Sequence, residues 1–265
     1  MSIAIAIAVP DGIALAADTQ TTWFRTLDHS REKVTGREVL LESPLQIPVG
    51  WSKMARKLFK ITIRGIDYAI ATAGAALINK KTPYSIFKHL EASYTGPPEF
   101  DSVLTHLVDG MKEQLRQHHG VSDLAQAPTL LVDIIFAGFA DQDVSKPIVA
   151  SNVVYSGQPP IAGVTTHTGV HRRWINTAGP SRYGGCWIGR TEFISHIVNH
   201  KNPELPPISG QYELMTLADV VDYTTFLVRF TCDFQRFAIM VPDVGRPIVS
   251  CTLTPDGFTQ TLVDA

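Results

Sequence analysis

The chain opens on an alternation of apolar residues with no polar member. Ile3, Ile5, Ile7 and Val9 fall on one face of an extended segment, and Ala4, Ala6 and Ala8 fall on the other. A strand that is apolar on both faces predicts cover on both sides. Pro10-Asp11-Gly12 supplies turn chemistry, and Ile13 to Thr19 runs back as a second strand. The start of the chain therefore reads as a buried hairpin whose alanine-rich segments can lie close to a covering layer.

Strand patterning returns at Lys57-Leu58-Phe59-Lys60-Ile61-Thr62-Ile63, turns at Arg64-Gly65 and runs on from Asp67 to Ala73. That strand ends at Gly74-Ala75-Ala76, small residues suited to a close backbone approach. Two helices follow. Thr82 is a candidate N-cap with Pro83 at the first helical position, and Ile86, Phe87, Leu90 and Tyr94 form a stripe. Gly96-Pro97-Pro98 breaks it, and Phe100, Val103, Leu104, Leu107, Val108, Met111 and Leu115 then recur with helical spacing.

The near-continuous apolar run Thr129 to Phe139 predicts a buried central strand, with further strands at Ile148 to Val154 and Gly169 to Asn176. Trp187 to Lys201 reads as a helix stopped by Pro203, and residues 202–212 as a proline-rich connection. Thr216 to Phe237 reads as a long helix with Leu217, Val220, Val221, Leu227 and Val228 on its core side. Arg246 to Leu253, a Thr254-Pro255-Asp256-Gly257 turn and Phe258 to Val263 close the chain as a strand pair. Residues 20–56 differ, with mixed charges, Gly36, Pro44, Pro48 and Gly50. They read as a long surface excursion with a small hairpin near Val34–Leu41.

Periodicity alone gives an α+β protein. The order of strands, two helices, strands, two helices and strands fits two antiparallel sheets packed face to face with helices outside, a four-layer αββα sandwich. At 265 residues the chain reads as one domain over 1–265, with a long insert at about 20–56 and a divergent region at about 140–186.

Composition narrows the function classes. The chain is 45% hydrophobic and 18% charged, enough for a full core and too apolar for disorder. A net charge of −2 gives no global argument for nucleic acid or an anionic membrane. No stretch has the length of a membrane span or the basic start of a signal peptide. Cys186, Cys232 and Cys251 are few, odd in number and far apart, which suits buried free thiols in a reducing cytoplasm. His196 and His200, four apart, lack the glutamate and third ligand of a zinc helix, so no metal is expected.

Chemistry is suggested at the start of the chain. Ser2 follows Met1 directly. Removing Met1 would give one residue both a hydroxyl nucleophile and a free amine. An α-amine titrates near about 7.7–8.0, close enough to neutrality to serve as base for its own side chain.

Beyond Ser2, an ordered set of motifs stands at Asp11-Gly12, Leu15-Ala16-Ala17-Asp18-Thr19, Lys57-Leu58-Phe59-Lys60-Ile61 and Thr72-Ala73-Gly74. Trp187-Ile188-Gly189-Arg190 and Val244-Gly245-Arg246-Pro247-Ile248 complete it. In this set the chain resembles the proteasome β-type N-terminal nucleophile hydrolases, and within them the bacterial Anbu and HslV branch. The resemblance implies the proteasome-subunit-like αββα fold and a peptidase that cleaves unfolded polypeptides. It implies Ser2 as nucleophile where most of the family has threonine. Lys57 would be the cation beside it, held by Asp18, with Lys53, Arg56 and Lys60 as competitors for that position.

Gly74 would be the oxyanion donor, and Asp233 the carboxylate orienting the terminal amine, with Asp243 as the competing candidate. Thr22 would lie on the substrate-pairing edge. No cofactor is implied. The expected partners are a polypeptide substrate, further copies of the chain in a ring and, as a candidate, an ATPase unfoldase. Two other readings stay open: a non-catalytic, self-assembling member of the same fold, and an amidase or acyl transferase acting on a small molecule.

Overall fold

The computed structural model describes residues 2–31, 38–53, 55–139, 146–157, 171–174, 183–198, 212–237 and 243–264. The opening hairpin is β1 (Ile3–Val9) and β2 (Gly12–Asp18), and every residue of both strands is buried. Their register sets large beside small on each face: Ile5 faces Ala16 and Ile7 faces Ala14, whereas Ala6 faces Leu15. The isoleucines of β1 pack with Ala14 and Ala16 against the C-terminal helices, and Ala4, Ala6 and Ala8 share the opposite face with Ile13 and Leu15. Alternation of volume lets both faces close without voids. Each buried isoleucine contributes about 1.5–3 kcal/mol of transfer free energy.

The remaining strands are β3 (Thr21–Arg31), β4 (Glu38–Ser52), β5 (Leu58–Ile63), β6 (Ile66–Gly74), β7 (Leu130–Phe139), β8 (Pro147–Ser156), β9 (His171–Trp174), β10 (Gly184–Gly189), β11 (Ile248–Thr254) and β12 (Gly257–Asp264). They form two five-stranded antiparallel sheets, β10-β1-β2-β11-β12 and β5-β6-β7-β8-β9, and a separate ribbon β3-β4. The four helices among the described residues are α1 (Pro83–Ser93), α2 (Phe100–His119), α3 (Glu192–Val198) and α4 (Leu217–Phe237).

Each longer helix is bounded by its sequence. Thr82 caps α1, its hydroxyl accepting the Ser85 N–H at 3.2 Å. Gly120 ends α2 in the left-handed conformation at φ 66°. At the start of α4, Thr216 and Asp219 bond each other's backbone N–H groups reciprocally, at 3.2 and 3.0 Å.

Three apolar cores follow from these faces. One joins α1 and α2 to β5–β8, including Phe59, Phe87, Leu104 and Phe136. The second lies between the sheets, where Ala4, Ala6 and Leu15 meet Ala69, Ala71 and Ile135. The third joins α3 and α4 to β1 and β2. Cys186, Cys232 and Cys251 are buried free thiols, and burial pushes Cys232 up to about 12. Among the described residues no helix is long and apolar enough to cross a membrane.

The structure departs from the sequence reading in two places. The excursion at 20–56 contains the β3-β4 ribbon, much longer than the small hairpin expected near Val34–Leu41, whose start falls outside the described residues. Pro44 and Pro48 obscured β4, yet a strand with only one partner tolerates proline. Trp187 to Gly189 is strand, not helix; β10 pairs with β1, and α3 begins only at Glu192. Of the expected strand Gly169 to Asn176, the described part is β9, and much of the divergent 140–186 region lies outside the described residues. So do His200 and most of the connection 202–212.

Candidate active site

The site forms where β2 ends beside the start of β1. Asp18, the last residue of β2, is fully buried and heavily bonded. Its Oδ1 accepts the Ile3 N–H at 2.9 Å and the Lys57 Nζ at 2.9 Å. Its Oδ2 accepts Lys57 Nζ at 2.8 Å and the N–H groups of Gln20 and Gly245 at 3.2 and 3.3 Å. Lys57 is buried as well and donates further to the Gln20 carbonyl. A buried ammonium and a buried carboxylate are each costly alone, and this pairing with added N–H donors is what offsets the loss of water. Complete burial holds the Asp18 carboxyl above the ordinary carboxylate range, against the pull of Lys57 and the N–H groups of Ile3 and Gly245.

The backbone fixes both partners. Lys57 immediately precedes β5, and its carbonyl accepts the Thr72 N–H of β6 at 2.8 Å. The Thr19 N–H and hydroxyl both bond the Pro247 carbonyl, at 3.0 and 2.9 Å, which docks the stretch before β11 against the end of β2. The sequence blocks around Asp18, Lys57 and Gly245 thus meet in one place.

Ser2 is buried and lines a cleft of about 860 Å³ together with Thr21, Thr22, Lys57, Thr72 and Gly74. Its carbonyl accepts the Arg190 N–H at 2.8 Å. Gly189 lies opposite Ile3 at φ 83°, and a Cβ there would stand 1.9 Å from the Ser2 carbonyl oxygen. Gly74 ends β6 at φ 93°, with Leu131 O 2.5 Å from where a Cβ would be. Only glycine fits either place, since both the backbone angle and the clearance exclude a side chain. Thr22 lies on β3 at the cleft, its hydroxyl accepting from Gln20 Nε2 at 3.2 Å.

The two acids considered for the terminal amine have different surroundings. Asp233, on α4, forms a part-exposed ion pair with Arg246, at 3.0 and 2.8 Å to Nη2. Asp243 is fully buried; it accepts Arg190 Nε at 2.9 Å, Arg190 Nη2 at 2.8 Å and Gln235 Nε2 at 2.8 Å. The Gln235 Oε1 accepts the N–H groups of Asp243 and Val244, both at 3.0 Å. Arg190 thus joins Asp243 to the Ser2 backbone. Partial burial works against its charge, but Asp243 and Glu192 more than restore it and raise the guanidinium above its ordinary value.

Sequence reasoning missed the part of Arg190 and missed Asp133 altogether. Asp133 lies in the middle of β7, opposite Ala73 and so one residue from Gly74 in register. Its Oδ2 accepts the Gly189 N–H at 3.2 Å. Burial pushes this carboxyl up to about 6, more than that single N–H lowers it. The signal was present: one aspartate stands inside the otherwise apolar run Leu130–Phe139. A lone acid at the centre of a buried strand needs a reason.

No protein-family model matches the sequence, and no curated protein matches it. Solved structures do match. Anbu from Hyphomicrobium sp. strain MC1 is similar with a TM-score of 0.56 at 14% identity, over 99% of this chain and 88% of its own. A Gly-1 mutant of Anbu from that strain gives 0.57 at 15%, over 100% and 88%. Anbu (ancestral beta-subunit) from Yersinia bercovieri gives 0.55 at 12%, over 99% and 87%. What this likeness shows is the fold, a proteasome-like one, mixed α and β with several antiparallel sheets.

Proposed function

We propose that the chain is a proteasome-type N-terminal nucleophile peptidase, acting on unfolded polypeptides through Ser2 after Met1 is removed. The observation that carries this reading is the buried Asp18 carboxylate shared between Lys57 Nζ and the Ile3 N–H. It fixes a cation beside the residue that follows Ser2, at the cleft that Ser2 lines. We read the whole chain as one domain of four layers, αββα, with the site at the end of the inter-sheet core.

In the reaction the Ser2 hydroxyl oxygen attacks the peptide carbonyl carbon, and the freed α-amine takes the hydroxyl proton. The Lys57 ammonium favours the deprotonated forms of both groups. The Gly74 N–H donates to the tetrahedral oxyanion. The C–N bond then breaks, the leaving amine takes the proton back, and water hydrolyses the Ser2 ester. We assign the orienting acid as Asp243 acting through Arg190, because the Arg190 N–H donates to the Ser2 carbonyl, whereas the partner of Asp233 is Arg246. Thr22 lies where an extended substrate would pair with β3.

We further propose that copies of the chain assemble into a ring in the cytoplasm, with an ATPase unfoldase as a candidate partner. Intact mass of the purified chain tests the premise, and a hydroxyl-directed covalent inhibitor tests the nucleophile. Expected are loss of one methionine mass, one adduct on Ser2, and loss of peptide hydrolysis and adduct in Ser2→Ala. A chain that keeps Met1 throughout, or a Ser2→Ala variant that still cleaves, would overturn the reading. Turnover of simple amides without peptides would move it to small-molecule acyl chemistry.

A further inference from the structure

The charges of the cleft are one-sided. Among the described residues two cations line it, Lys57 and Arg56, and no aspartate or glutamate does. Lys57 is neutralised by Asp18. Arg56 is exposed, and among the described residues it forms no ion pair; its guanidinium carbon lies 5.0 Å from the centroid of the Tyr84 ring, which also lines the cleft. That contact holds the guanidinium over an aromatic face and leaves its N–H donors available. Lys53 and Lys81 are exposed next to the lining residues Ser52 and Thr82 and likewise form no ion pair among the described residues. The rest of the lining is small or apolar, including Ala73, Ala76, Leu77 and Pro83.

We infer that this cleft selects peptides with an acidic side chain on the acyl side of the bond presented to Ser2, its carboxylate bound by Arg56. The physical case is complementarity. A planar guanidinium pairs with a carboxylate through two N–H donors, and a lining without acids among the described residues offers that carboxylate no repulsion. The adjoining lysines add attraction at longer range and discriminate against basic segments. Since Arg56 directly precedes Lys57, the strand start that delivers the buried cation to Asp18 also delivers the exposed one to substrate. The inference rests on the peptidase reading for the identity of the attacked bond, but the binding preference can be measured without turnover.

The test uses the full-length chain carrying Ser2→Ala, so that peptide is bound and not consumed. Two fluorescent peptides differ only by Glu or Gln at one central position, and anisotropy gives their dissociation constants. The Glu peptide is expected to bind about tenfold more tightly at low salt, with the gap narrowing as salt rises. Arg56→Gln should erase the gap, and Arg56→Glu should reverse it in favour of a Lys peptide, with unchanged circular dichroism. Equal affinities, a gap that survives Arg56→Gln, or no binding of either peptide at millimolar concentration would overturn the inference. Hydrolysis of the same pair by the chain with Ser2 restored separates the two ideas. Preferential cleavage after Glu supports both. Glu-selective binding with no cleavage would sink the peptidase reading and leave Arg56 as the determinant of an acidic-peptide site.

Discussion

Four carboxylates are candidates at the site, and their partners set them apart. Asp18 has Lys57, Asp243 has Arg190 and Asp233 has Arg246, each within hydrogen-bond distance. Asp133 instead accepts the Gly189 N–H and has no salt bridge among the described residues. Its carboxyl titrates at about 6 in the folded chain, above the ordinary 3.8. The folded state therefore binds this proton more tightly than the unfolded state does. The stability it lends is complete below the unfolded value and is lost as pH rises through about 6. Asp133→Asn keeps an acceptor for Gly189 and removes the ionisation. We expect it to be more stable than the parent at pH 7.5, by roughly 1–3 kcal/mol, with the difference gone by about pH 4. Urea melts at the two pH values measure this. A variant less stable than the parent at pH 7.5 would mean that the charge of Asp133 holds Gly189, and through it the Ser2 backbone, in place.

The elements most legible in the sequence were those whose period and punctuation agreed. β1 and β2 were marked by apolar alternation about Pro10-Asp11-Gly12, α1 by Thr82-Pro83, and α2 by its unbroken stripe from Phe100 to Leu115. The elements misread were those where local chemistry and tertiary context disagree. Prolines hid β4 because it belongs to a two-stranded ribbon, and Trp187-Ile188 carried too few residues to separate strand from helix before α3. The blocks around Asp18, Lys57 and Gly74 were legible as site candidates because each sits at an element end. That Asp243, not Asp233, shares Arg190 with the Ser2 backbone depends on how Gln235 of α4, Asp243 and Arg190 come together, which no local pattern encodes. One residue of β8 remains at odds with its setting. Asn152 is fully buried, lies on the same face as Ala150 and Val154, and neither its Oδ1 nor its Nδ2 has a partner among the described residues. An unpartnered amide in an apolar core costs about 1–3 kcal/mol. Asn152→Leu, of similar shape, is expected to raise the melting temperature by several degrees in differential scanning calorimetry. A fall would show that the amide is satisfied in solution.

The outer face of α4 bears on the assembly of the whole protein. Its buried side carries Val220, Thr224, Leu227, Val228 and Thr231, packed toward β1 and β2. Its other side carries Phe226, Phe230 and Phe234 at every fourth position, with neighbouring ring centroids 6.3 and 6.1 Å apart. Phe193 of α3 extends the row, its ring centroid 4.2 Å from that of Phe234. Phe226, Phe234 and Phe237 are 48%, 43% and 82% exposed. A continuous aromatic row of this kind is unusual on a protein that works alone, since leaving it in water forfeits the burial of several large side chains. It supports the proposed assembly through α3 and α4, the helices on the far side of β1 and β2 from the inter-sheet core. In sedimentation velocity the parent chain is expected to run as a multiple of 29.1 kDa. The double substitution Phe226→Glu and Phe234→Glu should shift it to a smaller species, because a carboxylate at each position cannot be buried without a partner. Unchanged far-ultraviolet circular dichroism would show that the helix itself survives. A parent chain that sediments as a monomer, or a double variant that stays in the same assembly, would remove this face from the contact. If the smaller species still bound the Glu peptide as tightly, the Arg56 cleft would be complete within one copy, and assembly would serve to enclose the site.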